Sequence, residues 1–163
     1  WPEHSDPELK YFSGTATYRK QFDVPTDRLG DQHAVNLDLG DVQLFAEVVL
    51  NGKDLGILWK PPYQLDVSGL LKAHDNQLEI RVTNLWVNRM IGDEQYPALD
   101  QKKSGELLID AIPRWLKDET PRPETPRKTF TTCRFYTKDS PLVDSGLLGP
   151  VELRFAVKKT VSQ

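Results

Sequence analysis

At 163 residues, with 38% apolar and 28% charged side chains and a formal charge of −3, the chain has the composition of one soluble folded domain. The charge excludes nucleic acid as the main partner, because no basic cluster exceeds pairs such as Lys102-Lys103 or Lys158-Lys159. No apolar run approaches the roughly 18–20 residues that cross a bilayer, so no membrane partner is expected. Trp1-Pro2-Glu3-His4 does not read as a signal peptide.

The dominant periodicity is two. A first strand is expected over Thr15–Phe22, and a second over Ala34–Leu39, where Val35, Leu37 and Leu39 alternate with Asn36 and Asp38. Leu44–Leu50 and Leu55–Trp59 follow, joined by Asn51-Gly52. Both of those residues tolerate the positive φ that a two-residue hairpin requires. After Pro61-Pro62 come Tyr63–Val67 and, beyond Asp75-Asn76, Gln77–Thr83, in which Leu78, Ile80 and Val82 share one face.

From Asp93 to Lys128 the alternation stops, and Pro113, Pro121, Pro123 and Pro126 crowd the second half. Glu106–Lys117 has some helical spacing, interrupted by Pro113. A loop this long is uncommon in a compact domain. Leu107, Leu108, Ile109, Ile112, Trp115 and Leu116 give it apolar surface to bury, so an ordered excursion over about 93–128 is expected. Strands resume at Thr129–Tyr136 and, past Gly149-Pro150, at Val151–Val157. Short strands with regular turns and one-sided alternation predict an all-β fold. An antiparallel β-sandwich of jelly-roll type over 1–163 fits best.

Catalytic constellations do not stand out. His4, His33 and His74 sit in polar, loop-like settings without metal-ligand spacing. Ser68, Ser104 and Ser145 each precede glycine, but none lies in a Gly-x-Ser-x-Gly elbow. The single cysteine, Cys133, excludes an internal disulfide and a thiolate metal cluster. Asp38-Leu39-Gly40-Asp41 is too short and too apolar for a calcium loop. No catalytic residue, metal ligand or cofactor is therefore assigned. A carboxylate pair about 5–10 Å apart, as glycoside hydrolysis uses, is a matter of distance and stays open.

The most informative stretch is Asn84-Leu85-Trp86-Val87-Asn88-Arg89-Met90-Ile91-Gly92-Asp93. Trp86 offers an apolar face, Asn88 a paired donor and acceptor, Arg89 a planar fork and Asp93 its carboxylate partner. Such groups can hold a sugar ring, or they can lock a strand end to a neighbouring loop. The second reading is the commoner one for an Arg–Asp pair.

Asn84-x-Trp86-x-Asn88-Arg89-x-Ile91-Gly92-Asp93 resembles the galactose-binding-like β-sandwich domains of large bacterial glycoside hydrolases. The nearest in pattern are the sandwich domains of α-L-rhamnosidase-type enzymes and the sugar-binding domain of the family 2, β-galactosidase group. The resemblance extends through Tyr11–Tyr18, Leu39–Val42, Ala46–Gly56, Leu58–Tyr63 and Asp144–Val151. It implies a domain from the C-terminal part of a longer enzyme, whose hydrolytic carboxylates reside in a separate (β/α)-barrel. It also implies periplasmic or extracellular residence. Related folds often carry a structural calcium, for which Asp6, Glu8, Asp38 and Asp41 are loose candidates.

For sugar binding, Trp59 and Tyr63 flank the stiff Lys60-Pro61-Pro62 segment, although Tyr63 shares the parity of Leu65 and Val67 and so points to the core. Trp115, with Arg114, Lys117 and Arg122 near it, suits either a ligand or a partner domain. The candidate binding or interface residues are therefore Trp59, Tyr63, Trp86, Asn88, Arg89, Asp93 and Trp115. Three functions follow. The first is a non-catalytic accessory domain bracing a catalytic domain of the same parent chain. The second is an autonomous carbohydrate-binding module that grips an oligosaccharide or polysaccharide through surface aromatics. A self-contained glycosidase or lyase ranks third.

Overall fold

The computed structural model describes residues 1–97, 114–129, 131 and 135–159. The chain divides into two compact units, Gly14–Leu85 with Ser145–Gln163, and Trp1–Ser13 with Trp86–Asp144.

The first unit holds the strands among the described residues: β1 (Thr15–Phe22), β2 (His33–Asp38), β3 (Asp41–Gln43), β4 (Phe45–Leu50), β5 (Lys53–Leu58), β6 (Gln64–Asp66), β7 (Asn76–Thr83), β8 (Gly146–Gly149) and β9 (Glu152–Val157). They form a four-stranded sheet in the order β1-β7-β4-β5, a three-stranded sheet β6-β2-β9 and a two-stranded sheet β3-β8. Every ladder is antiparallel. The period-two pattern explains the packing. Ala46, Val48 and Leu50 of β4 and Leu78, Ile80 and Val82 of β7 point inward, and Val35 and Leu37 of β2 meet them in one buried cluster with Leu39, Val42, Tyr63 and Val67. Two sheets sharing one apolar interior make a β-sandwich. Each fully buried aliphatic side chain there stabilises by about 1.5–3 kcal/mol relative to exposure.

The β4–β5 hairpin turns at Asn51 (φ 53°) and Gly52 (φ 80°), as the Asn-Gly pair predicts. Asn51 also bonds outward, donating to the Leu70 carbonyl at 2.8 Å and accepting from the Gln77 N–H at 2.9 Å. Its Nδ2 further donates to Asn76 Oδ1 at 3.0 Å. Asn76 is fully buried, and its amide accepts from Lys72 N–H at 2.8 Å while donating to the Lys72 carbonyl at 2.7 Å. A residue expected to mark a turn is thus a buried polar knot tying β7 to the 70–72 loop and the hairpin.

Seven of the eight expected strands recur with shifts of at most two residues, but β3 and β8 have no counterpart in the sequence reading. Both are short and glycine-flanked, so alternation has too few positions to register. Gly40 (φ 65°) forms a parallel bridge with Gly149, where the two backbones lie close enough to leave no room for a side chain on Gly40.

The second unit contains short helices: α1 (Pro7–Lys10), capped by Asp6, whose Oδ1 accepts from Glu8 N–H at 2.9 Å; α2 (Val87–Asp93); and α3 (Arg114–Lys117). Of the strand expected at Thr129–Tyr136, residues Thr129, Thr131, Phe135 and Tyr136 are described and none lies in a strand. Its remaining residues, together with Leu107, Leu108, Ile109, Ile112, Cys133, Lys102-Lys103 and Ser104, lie outside the described residues.

Candidate functional site

The segment that carried most information, Asn84–Asp93, ends in a helix rather than in an extended strand end. Helix α2 is seven residues long, too short to persist alone in water. Its side chains supply what its backbone lacks: Asn88, Arg89, Ile91, Gly92 and Asp93 are all buried. The signal for it was the Arg89–Asp93 spacing itself, since residues four apart meet on a helix, whereas on a strand they share a face but stand roughly 13 Å apart.

Asp93 is the hub. Arg89 Nη2 lies 3.1 Å from its Oδ1. The same carboxylate accepts from the Lys128 N–H (3.1 and 3.0 Å to its two oxygens), the Thr129 N–H (2.6 Å) and the Thr129 hydroxyl (2.6 Å). One carboxylate therefore answers a helix cation and pins the 128–129 backbone. The Arg89 guanidinium lies 5.9 Å from the Tyr11 ring centroid. Gly92 is required beneath it, because a Cβ there would stand 2.5 Å from Tyr11 Cγ and 2.7 Å from Arg89 Nη2.

Asn88 acts similarly on another segment. Its Nδ2 donates to the Val143 carbonyl at 2.8 Å and its Oδ1 accepts from the Val143 N–H at 2.9 Å. At the end of the helix, Glu94 pairs with Arg127 at 2.5 Å, and Arg127 Nη1 donates to the Tyr96 carbonyl at 3.0 Å. Arg122 donates to the Arg127 and Thr129 carbonyls at 3.0 and 3.2 Å. Arg127 and Thr129 belong to this network and had no sequence signal as site residues, since each is brought in by the chain fold, and Tyr11 was marked only as part of the stretch that carries the resemblance. Asn84, in the sandwich unit, accepts from the Gly14 N–H at 2.9 Å and donates to Ser145 Oγ at 2.5 Å.

The polar groups of the motif thus face protein. Asn88, Arg89 and Asp93 come together on α2: Asn88 bonds Val143, Asp93 bonds Arg89 and the 128–129 segment, and Arg89 Nε is left buried with no hydrogen-bond partner among the described residues. Trp86, at the start of the same helix, is 65% exposed. Trp115 is half-buried in α3. Trp59 follows β5 in the sandwich unit and is exposed, with Lys60 Nζ 5.2 Å from its ring centroid. Tyr63 does not stand beside it: its ring belongs to the core cluster and its hydroxyl donates to the Leu44 carbonyl at 3.0 Å. Burial, assisted by the negative charge of Asp41, raises the Tyr63 phenol above its ordinary pKa.

The four calcium candidates are each engaged by protein groups. Asp6 caps α1, Glu8 pairs with Lys128 at 2.7 Å and Asp41 accepts from Gln43 at 3.1 Å. Asp38 accepts from the Gly40 N–H and Gln64 at 2.9 Å each and pairs with Arg154 at 2.8 Å. The Gly40 N–H, followed by Gln64 and Arg154, holds its carboxyl below the usual range. Among the described residues no three His, Cys, Asp or Glu side chains converge as a metal-ligand set.

The chain belongs to the glycosyl hydrolase 2 galactose-binding domain-like family, whose model matches residues 4–115. It is 45% identical over 161 residues to a Formosa agariphila protein named "Putative beta-glucuronidase", covering 99% of this chain and 14% of that one. It is also similar to the structure of a rhamnosidase from Novosphingobium sp. PP1Y, with a TM-score of 0.71 and 37% identity over 94% of this chain and 12% of that one. The chain thus spans about one seventh or less of the length of these relatives.

Proposed function

We propose that the chain works as a non-catalytic accessory domain of a longer carbohydrate-degrading glycoside hydrolase, bracing or completing a catalytic domain carried by the same polypeptide. The observation that carries this reading is the extent of the match. Nearly the whole chain aligns with 12–14% of much larger relatives, one of them a rhamnosidase. The motif geometry supports it, because the groups that suited a sugar, Asn88, Arg89 and Asp93, are committed to internal bonds. On this reading the parent enzyme is of α-L-rhamnosidase or related type and acts outside the cytoplasm, where polymeric glycans are met.

The test has two arms. The purified 163-residue chain should release no nitrophenol from the p-nitrophenyl α-L-rhamnoside, β-D-glucuronide or β-D-galactoside. Deleting the matching 161-residue region from the Formosa agariphila relative should lower the melting midpoint of the remaining protein. Turnover by the isolated chain, or an undisturbed midpoint in the deletion, would contradict the proposal.

A further inference from the structure

The two sheets of the sandwich do not close along one side. β1 ends the four-stranded sheet and β9 ends the three-stranded sheet. Among the described residues β1 forms its ladder with β7 and β9 with β2, and no ladder joins β1 to β9. Between these two edges runs an apolar groove of about 450 Å³. Its floor is the core itself, at Leu37, Leu78 and Ile80, and Leu147, Val151 and Leu153 form a wall. A finished interior leaves few voids larger than one water, which occupies about 30 Å³ in the liquid. The groove is therefore no packing defect.

The two edges differ in what they present. Lys20 of β1 pairs with Leu78, so it stands on the inward face, in the same row as Tyr18 and Phe22. An inward-pointing charge is one way in which an edge strand turns away a further strand. β9 carries none. Its Leu153, Phe155 and Val157 pair with Leu37, Val35 and His33 and share the inward face, whereas Glu152 and Arg154 face out. Leu153 and Phe155 pack against the core, and Val157 is 65% exposed. In an antiparallel edge every second residue turns both its N–H and its C=O away from the neighbouring strand. β9 thus offers what an added strand needs, a backbone edge and a row of inward apolar side chains to continue.

Charge and backbone together narrow the occupant. Lys20 lines the groove without an ion-pair partner among the described residues, while its neighbour Arg19 is held by Glu79 at 2.7 Å. A small apolar ligand would fill the space and leave the β9 backbone unanswered, whereas an extended chain answers both. The relatives have chain enough to supply one, since this chain spans 12–14% of their length.

We propose that the gap between β1 and β9 is filled by an extended segment of the parent polypeptide from outside these 163 residues. The segment pairs with β9, sends an apolar side chain into the groove at every second position and brings a carboxylate to Lys20. This inference rests on the accessory-domain reading and names the surface through which the domain is joined to its parent enzyme.

The test is amide hydrogen exchange, read by mass spectrometry, on the 163-residue chain and on the full-length Formosa agariphila relative. In the 163-residue chain Glu152–Val157 should exchange at least tenfold faster than the central strand β7. In the full-length relative the segment aligned with β9 should exchange as slowly as the one aligned with β7. The segment aligned with β5, the opposite edge of the four-stranded sheet, should stay fast. A β9 segment that stays fast in the full-length relative, or that is already slow in the 163-residue chain, overturns the proposal. Protection confined to the β5 segment moves the contact to the other edge and overturns it too, with the bracing role intact. That role fails separately, through an undisturbed melting midpoint in the deleted relative.

The charge is probed with 1-anilinonaphthalene-8-sulfonate, an apolar ring system bearing an anion. Its emission should rise on adding the folded 163-residue chain, and its affinity should fall at least threefold in Lys20→Glu at an unchanged melting midpoint. No rise in emission, or equal affinity in Lys20→Glu, overturns the cation-flanked apolar groove and the proposal with it.

Discussion

Substituting Asp93 tests whether the family motif is a structural clamp. In Asp93→Ala the Arg89 guanidinium, itself buried, loses its 3.1 Å partner, and the Lys128 and Thr129 N–H groups and the Thr129 hydroxyl lose their acceptor. Breaking one side of a buried ion pair costs about 3–5 kcal/mol, because the remaining charge is left uncompensated. Hydrogen bonds to a charged group are worth about 1.5–3 kcal/mol each, but solvation of the freed 128–129 backbone returns part of that, so the terms do not simply add. The expected loss is therefore about 3–5 kcal/mol, a large fraction of the roughly 5–15 kcal/mol that holds a typical domain folded. Urea unfolding followed by circular dichroism should show a lower midpoint. Arg89→Met combined with Asp93→Asn should lose less than the sum of the two single changes, because each already removes the same pair. A loss below about 0.5 kcal/mol in Asp93→Ala, the range of ordinary surface substitutions, would refute the clamp and return the carboxylate to a ligand role.

Two further outcomes follow from the sandwich unit. Gly40→Ala should destabilise by about 2–4 kcal/mol, combining the penalty for a side chain at φ 65° with overpacking, since the new Cβ would stand 2.7 Å from the Pro150 carbonyl oxygen. A melting midpoint within 1–2 °C of the parent would show, on the ~2–4 °C per kcal/mol expected at this size, that the bridge to Gly149 yields freely. Asp38, whose carboxyl the Gly40 N–H, Gln64 and Arg154 hold below its ordinary range, contributes stability that is present above the unfolded-state value of about 4. That stability is lost as pH falls through the depressed folded-state value. The gap in melting midpoint between the parent and Asp38→Asn should be constant near neutrality and narrow below about pH 4. Asp23, Asp66 and Glu79 are depressed too, so the gap and not the parent curve reports on Asp38. A gap unchanged down to pH 2.5 would assign the effect of the substitution to shape and not to charge.

The strands that alternate over six or more residues were legible because a sheet buried on one face writes period two directly into the chain. Val35/Leu37/Leu39 and Leu78/Ile80/Val82 each emerge in the core as read. The Asn51-Gly52 hairpin was legible because positive φ is a local property of two residue types. Tyr63 was placed inward by its parity alone, and the buried ring agrees. The helix α2 was not read, although its Arg89–Asp93 spacing pointed to it. Seven residues, five of them buried, give no amphipathic stripe to distinguish a helix from a short apolar run. The short strands β3 and β8 escaped for a related reason, since three or four residues beside glycine carry no measurable period.

By itself, then, the sequence determined the antiparallel sandwich, its inward faces and its tight hairpin, because those follow from solvent exposure and local backbone preference. Tertiary structure alone decided what the polar residues do. The acceptor that Lys128 and Thr129 find in Asp93 and the Val143 backbone that occupies Asn88 are separated from their partners by 35, 36 and 55 positions. Only folding could show that Glu47 stands level with both Arg81 and Ile57, because strand register is set by the whole sheet and not by neighbours in the chain.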